Sequence, residues 1–409
     1  MPPSQTAENQ EDAIRFCREL GPALLTYGAP AHRLEDVMQV LTRAYDIQGE
    51  IFSVPTAFLS SFHLHKQDAP AHLQRVKANE INLAKLAALD ELFNQVANGK
   101  TSPQEGLIRL PKIIAANPPY GVWTTLLSFA LASGCAARFF EGGFAEIFLA
   151  TLTGLGLGIL AMAAPHNRQI ARLFEPLGAF VVALLATTCS IFWDGVSVDK
   201  ATLGGLIILL PGFTLTLAIA ELATRNLVSG TARLSAACFS FLMLGFGTAF
   251  GRRVGEYLAG PIGTAEVDPL PLWSLAIVLP MASTTIGILF RVPLRDLAWV
   301  FLVSMLGFLG VRFGAEAFGP MLGVFLGSVA VGSGSNLYAR ITDRPASITR
   351  LPGLLFLVPG GLGFLSLSAL MDGDALQGLE NAFQVAMVAI ALVTGLLVST
   401  AIISPRKAL

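Results

Sequence analysis

The chain has 409 residues, 53% hydrophobic and only 13% charged, against roughly 25% charged in a soluble domain. Such a composition excludes an ordinary soluble globular protein and points to an integral membrane protein with an aqueous portion. Basic and acidic residues nearly cancel to a net charge of −1, so no bulk electrostatic case exists for a nucleic-acid partner.

The opening residues, MPPSQTAENQEDA, are polar and mildly acidic, unlike a cleavable leader. A helical pattern follows from Glu11 to Tyr27, broken at Gly28-Ala29-Pro30. A second helix is expected from Ala31 to about Tyr45, with Leu34, Val37, Met38 and Leu41 on one face. Residues 49–65 are rich in β-branched and aromatic residues and interrupted at Pro55, which predicts two short strands, and residues 72–77 suit a third. Asn82 to Val96 is amphipathic. Ser102-Pro103-Gln104-Glu105 then combines a capping box with proline at the first helical position. Residues 1–118 thus read as a small soluble α+β domain, placed in the cytoplasm because nothing directs export.

Ten apolar spans of about the 20 residues a bilayer requires come next. They lie near 121–140, 143–163, 174–193, 201–221, 227–250, 271–290, 296–312, 318–337, 350–371 and 381–404. Glycine recurs at Gly319, Gly323 and Gly327, a spacing that lets helix backbones approach closely. Lysine and arginine are more frequent beside the span ends on the N-terminal domain's side, which puts both termini inside. The fourth span is interrupted by Pro211-Gly212, and the ninth by Pro359-Gly360 in the same Leu-x-Pro-Gly setting. Each is the fourth span of a set of five. An odd number per set inverts the second set relative to the first. The expected fold is therefore an α-helical polytopic membrane protein of two inverted five-helix repeats, 119–255 and 256–409, after the soluble domain.

Two broken helices at matching places point to a transport site, because proline frees a carbonyl that only protein or a water-filled cavity satisfies in lipid. Pro211, Gly212, Thr214, Thr216, Pro359, Gly360 and Ser366 are the first substrate-binding candidates. Free helix amides suit a carboxylate, and free carbonyls suit an ammonium or a proton carrier. Arg233 offers a bidentate partner to a carboxylate or snorkels to the interface, and Asn336 bonds a substrate or caps its helix. Asp194 and Glu221 are candidates for a coupling proton, with Arg225 placed to pair with Glu221. Asp199, Asp372, Glu146 and Glu175 stand near span ends, where a solvated role competes with a titrating one. No Walker-type loop and no nucleophile elbow occurs, so neither an ATP-driven pump nor a catalytic residue is expected. His63 and His65 share a strand face but have no third ligand at fixed spacing, and the four cysteines read as small hydrophobes. Neither a metal nor another cofactor is expected.

The ordered motifs resemble the threonine/serine exporter family. They are Gly28-Ala29-Pro30-Ala31-His32-Arg33-Leu34-Glu35, Leu210-Pro211-Gly212 with Leu227-Val228-Ser229-Gly230-Thr231-Ala232-Arg233-Leu234, and Leu357-Val358-Pro359-Gly360 with Ser366-Leu367-Ser368-Ala369-Leu370. The resemblance implies a cytoplasmic domain before two five-span modules. It also implies secondary-active, proton-coupled export of threonine and serine, dicarboxylates such as succinate being the alternative. Arg33 and Glu35 match its first motif, where a gating or domain-folding ion pair and direct substrate contact are equal readings. A membrane-anchored enzyme acting through Glu35, His63 and His65 is the reading from another class. Expected partners are the small-molecule substrate, protons and the lipid bilayer, with a homo-oligomer as an option, in a bacterial-type inner membrane.

Overall fold

A computed structural model describes residues 3–63, 70–77, 81–193, 195–260, 267–371 and 373–405. The N-terminal part is α1 (Pro3–Thr26), α2 (Ala31–Ala44), β1 (Gln48–Val54), β2 (Ala57–His63), β3 (His72–Arg75), α3 (Leu83–Ala97) and α4 (Pro103–Ala115). The strands form an antiparallel sheet in the order β1-β2-β3. Pro55 and Thr56 make the two-residue hairpin that the interruption at Pro55 foretold, pairing Val54 with Ala57. Alternate residues of β2 face inward, so Phe58 and Phe62 reach a core shared with Phe16, Leu20 and Leu24 of α1. Leu34, Val37, Met38 and Leu41 of α2 are fully buried, as their periodicity predicts. Ser102 caps α4 by accepting the Glu105 N–H at 3.2 Å.

That core does not stop at residue 118. It runs on into Val292, Val300, Tyr338, Ile348 and Leu351. The first amides of α3, which no carbonyl of α3 itself satisfies, donate elsewhere: Leu83 to the Phe290 carbonyl and Ala84 to that of Arg291, both at 3.0 Å.

The rest is helical: α5 (Val122–Phe139), α6 (Phe144–Ala163), α7 (Arg168–Arg172), α8 (Phe174–Cys189), α9 (Val198–Leu206), α10 (Gly212–Ala223), α11 (Leu227–Ala259), α12 (Leu275–Leu289), α13 (Leu297–Phe318), α14 (Pro320–Thr342), α15 (Ser347–Leu355), α16 (Gly360–Met371) and α17 (Ala375–Ile402). Among the described residues nine stretches are long and apolar enough to cross a membrane. The expected fourth span falls into α9 and α10, each too short alone, whereas α15 and α16 together span 25 residues. Phe246, Phe250, Tyr257 and Phe383 stand exposed along the long helices, a band that suits lipid and not water.

The helix contacts repeat. In the first set α5 packs on α6, α9 on α6 and α8, α8 on α11, and α10 on α11. In the second α12 packs on α13, α15 on α13 and α14, α14 on α17, and α16 on α17. Helix ends repeat too. Glu141 (φ 60°) and Arg291 (φ 56°) close α5 and α12, Arg225 (φ 65°) and Gly373 (φ 89°) close α10 and α16. Each lets the next amide reach back to an orphan carbonyl of the last turn: Gly142 to Ala137, Val292 to Gly287, Asn226 to Glu221, Asp374 to Ala369. Gly323 and Gly327 of the glycine stripe serve packing, whereas Gly319 (φ 90°) stands at the start of α14 with nothing within 4 Å of a Cβ. A Cβ on Gly314 would lie 2.9 Å from Gly323 Cα, and one on Gly310 at the same distance from Gly327 Cα.

Candidate functional site

The helix ladder fails at both Pro-Gly pairs in the same way. Leu209 and Leu210 both donate to Leu206, then α10 restarts with Leu215 donating to Pro211. Leu357 and Val358 both donate to Leu354, then Gly363 donates to Pro359. The two breaks are in contact. A Cβ on Gly212 would fall 2.3 Å from Val358 Cγ1 and 2.8 Å from Gly360 Cα, and one on Gly360 would lie 3.3 Å from Leu210 Cβ. Each glycine therefore abuts the residue two before the other's glycine. The structure thus brings Pro211, Gly212, Pro359 and Gly360 to one place.

The expected hydroxyls are largely engaged nearby. Thr216 donates to the Gly212 carbonyl at 3.0 Å, one turn back along α10. Ser366 donates to the Gly378 carbonyl at 2.6 Å, tying α16 to α17. Thr214 is half-buried on α10.

Glu221 is fully buried. It accepts from Ser229 at 2.8 Å and from Nε of Arg233 at 3.0 Å. The expected partner, Arg225, is instead exposed in the left-handed turn. That turn sends α11 back along α10, and the antiparallel return, not a spacing of four, brings Arg233 beside Glu221. Arg233 thus neither snorkels nor stands ready as a lone cation. It neutralises a buried carboxylate.

Asn336 joins a second cluster. Its amide nitrogen donates to the Ile403 carbonyl at 2.6 Å and its oxygen accepts from Arg350 at 2.7 Å. Arg350 was legible only as one more basic residue beside a span. It lies one turn into α15, with its Nε buried and unpartnered among the described residues. Arg33 of α2 is close enough for its charge to act on Arg350. Burial pushes the Arg33 guanidinium below the usual arginine range while Asp36 opposes the shift.

Glu35 is held by β1. It accepts the Ser53 backbone N–H at 2.9 Å and the Ser53 hydroxyl at 3.1 Å, fastening α2 to β1. Glu146, expected near solvent, is buried because it accepts two amides, Gly143 and Ser197, both at 2.8 Å. Glu175 accepts from Ser240 at 2.8 Å. Asp194, Asp372 and His65 lie outside the described residues. Cys17 is sealed in the N-terminal core, and burial pushes its thiol up to about 12.

Comparison with known proteins adds the following. The family model for threonine/serine exporters matches residues 15–255. A second, described as "Threonine/Serine exporter, ThrE", matches residues 275–402. A pheromone-regulated membrane protein 10 of Yarrowia lipolytica is 27% identical over 92% of this chain and 32% of its own length. The protein of that name in Candida albicans (strain SC5314) is 28% identical over 88% of this chain and 33% of its own. That of Saccharomyces cerevisiae (strain YJM789) is 26% identical over 90% and 47%. The chain thus spans a third to a half of the length of these relatives. No solved structure matches it.

Proposed function

We propose, for a chain that belongs to the threonine/serine exporter family of membrane transporters, secondary-active export of threonine and serine in exchange for protons. The contact between the two Pro-Gly breaks carries this reading. Matching helix packings, matching helix ends and a reciprocal contact between Leu210–Gly212 and Val358–Gly360 support two inverted repeats related by a local two-fold axis. In such transporters the substrate sits where broken helices meet at the midplane. Here the first amides of α10 and α16 would meet the carboxylate, and the frayed carbonyls of α9 and α15 the ammonium. Thr214, Thr216 and Ser366 add hydroxyls within reach of small rearrangements.

Glu221 is our proton carrier. Protonation would loosen its hold on Arg233 and Ser229, so α10 and α11 would slide apart only in the protonated state. The N-terminal domain, on the cytoplasmic side of a bacterial-type inner membrane with both termini inside, would gate through Arg33 and Arg350.

The test uses purified protein in liposomes preloaded with labelled threonine, serine or succinate under an imposed proton gradient. Gradient-driven efflux of threonine and serine is expected, abolished by Pro211→Ala with Gly212→Leu. Efflux of succinate alone would replace the substrate by a dicarboxylate. No efflux, together with chemistry by the isolated N-terminal domain, would replace transport by an anchored enzyme.

A further inference from the structure

A second polar locus lies away from the breaks, at the end of the molecule where α5 turns into α6. Ser197 and Lys200 at the start of α9 are tied to that turn through Glu146 and the Glu141 carbonyl. Between α8, α9, α11 and α16 a cavity of ≈ 70 Å³ is lined by Thr187, Thr202, Thr248 and Ser368, with Asp199 and Arg252 also on its wall. Thr187 is only 1% exposed. Its Oγ1 and that of Thr248 are buried with no hydrogen-bond partner among the described residues. Unsatisfied buried hydroxyls cost free energy unless something visits them. Asp199 and Arg252 face one another at 3.0 Å, both with solvent access.

We infer that this cavity binds the hydroxyl-bearing side chain of a small zwitterionic amino acid while the Asp199–Arg252 pair takes its charged end. The inference rests on the exporter reading and adds a site to it, distinct from the helix breaks. The charges match. Arg252 also holds Glu256 at 3.1 Å, and Glu256 reaches Arg253 at 3.3 Å, so among the described residues two carboxylates already face two guanidinium groups, and a zwitterion, carrying one charge of each sign, keeps that balance. A dicarboxylate would set a second anion against Asp199. The space takes a short side chain, and its free hydroxyls reward one that can donate and accept. Valine, threonine's shape without the hydroxyl, leaves Thr187 and Thr248 as they are now.

Equivalent helix positions at the opposite end are filled. Where α9 carries Thr202, α15 carries Arg350, and where α8 carries Thr187, α14 carries Asn336, the two bonded to each other.

Equilibrium binding of labelled threonine and labelled valine to the full-length protein tests this. Wild type should prefer threonine. Thr187→Val should weaken threonine about tenfold, the worth of one net hydrogen bond, leaving valine unchanged, and Thr187→Ser should restore the preference. Thr248→Val should act alike, whereas Asp199→Asn should weaken both ligands. If wild type exports threonine but both valine variants keep its preference, the cavity holds water only and this assignment is wrong while the exporter reading stands. If wild type neither binds nor exports threonine or serine, both fall.

Discussion

At the scale of single residues, Glu221 decides most. A carboxylate with no exposed surface is tolerable because Arg233 and Ser229 satisfy it, and removing one member of a buried pair costs about 3–5 kcal/mol. Arg233→Met should therefore destabilise the protein by that order in thermal unfolding in detergent. Adding Glu221→Gln to it should recover most of the loss, because no uncompensated charge remains. If the double variant were as unstable as the single one, packing and not charge would be what Arg233 supplies. The pairing was half legible. Both residues were conspicuous in apolar surroundings, but the obvious partner by spacing was Arg225, which the left-handed turn carries away.

At the scale of elements, the breaks at Pro211 and Pro359 were readable because proline's missing donor acts locally, whatever surrounds it. What the two half-helix pairs touch was not readable. Gly212 has no room for a methyl group: its Cβ would meet Val358 and the Gly360 backbone. Gly212→Ala should force the breaks apart, costing about 1–3 kcal/mol, and should slow export at least as much as it lowers the melting temperature would suggest. Gly121→Ala is the control, since a Cβ there meets nothing within 4 Å. Gly121 stands at the N-cap of α5, so the variant should lose only what a helix cap is worth, about 1 kcal/mol, with export unchanged. Equal behaviour of the two variants would remove the close approach from the mechanism.

At the scale of the whole molecule, the N-terminal part and the helices share one apolar core. Deleting residues 1–118 would bare Val292, Tyr338, Ile348 and Leu351, each worth about 1.5–3 kcal/mol when fully buried, and would strip the Phe290 and Arg291 carbonyls of their donors. The truncated protein should unfold at lower temperature than the full chain and lose monodispersity in size-exclusion chromatography. Unchanged stability would mean that the domain is a passenger. Composition marked residues 1–118 as more polar than the rest. It carried no sign of docking, since the apolar residues that receive the domain look like any others in a hydrophobic span.

By itself the sequence determined the membrane class, the approximate places of the apolar stretches, the α+β order of the N-terminal part and the two helix breaks. These follow from hydropathy, periodicity and proline, which act over one or two helical turns. Tertiary structure alone decided that the breaks meet, that Glu221 belongs to Arg233, that Asn336 belongs to Arg350, and that threonine hydroxyls without a partner among the described residues line a cavity. Those are contacts between residues distant in the chain or turned by a helix end, and their partners are set by how whole helices lie against one another.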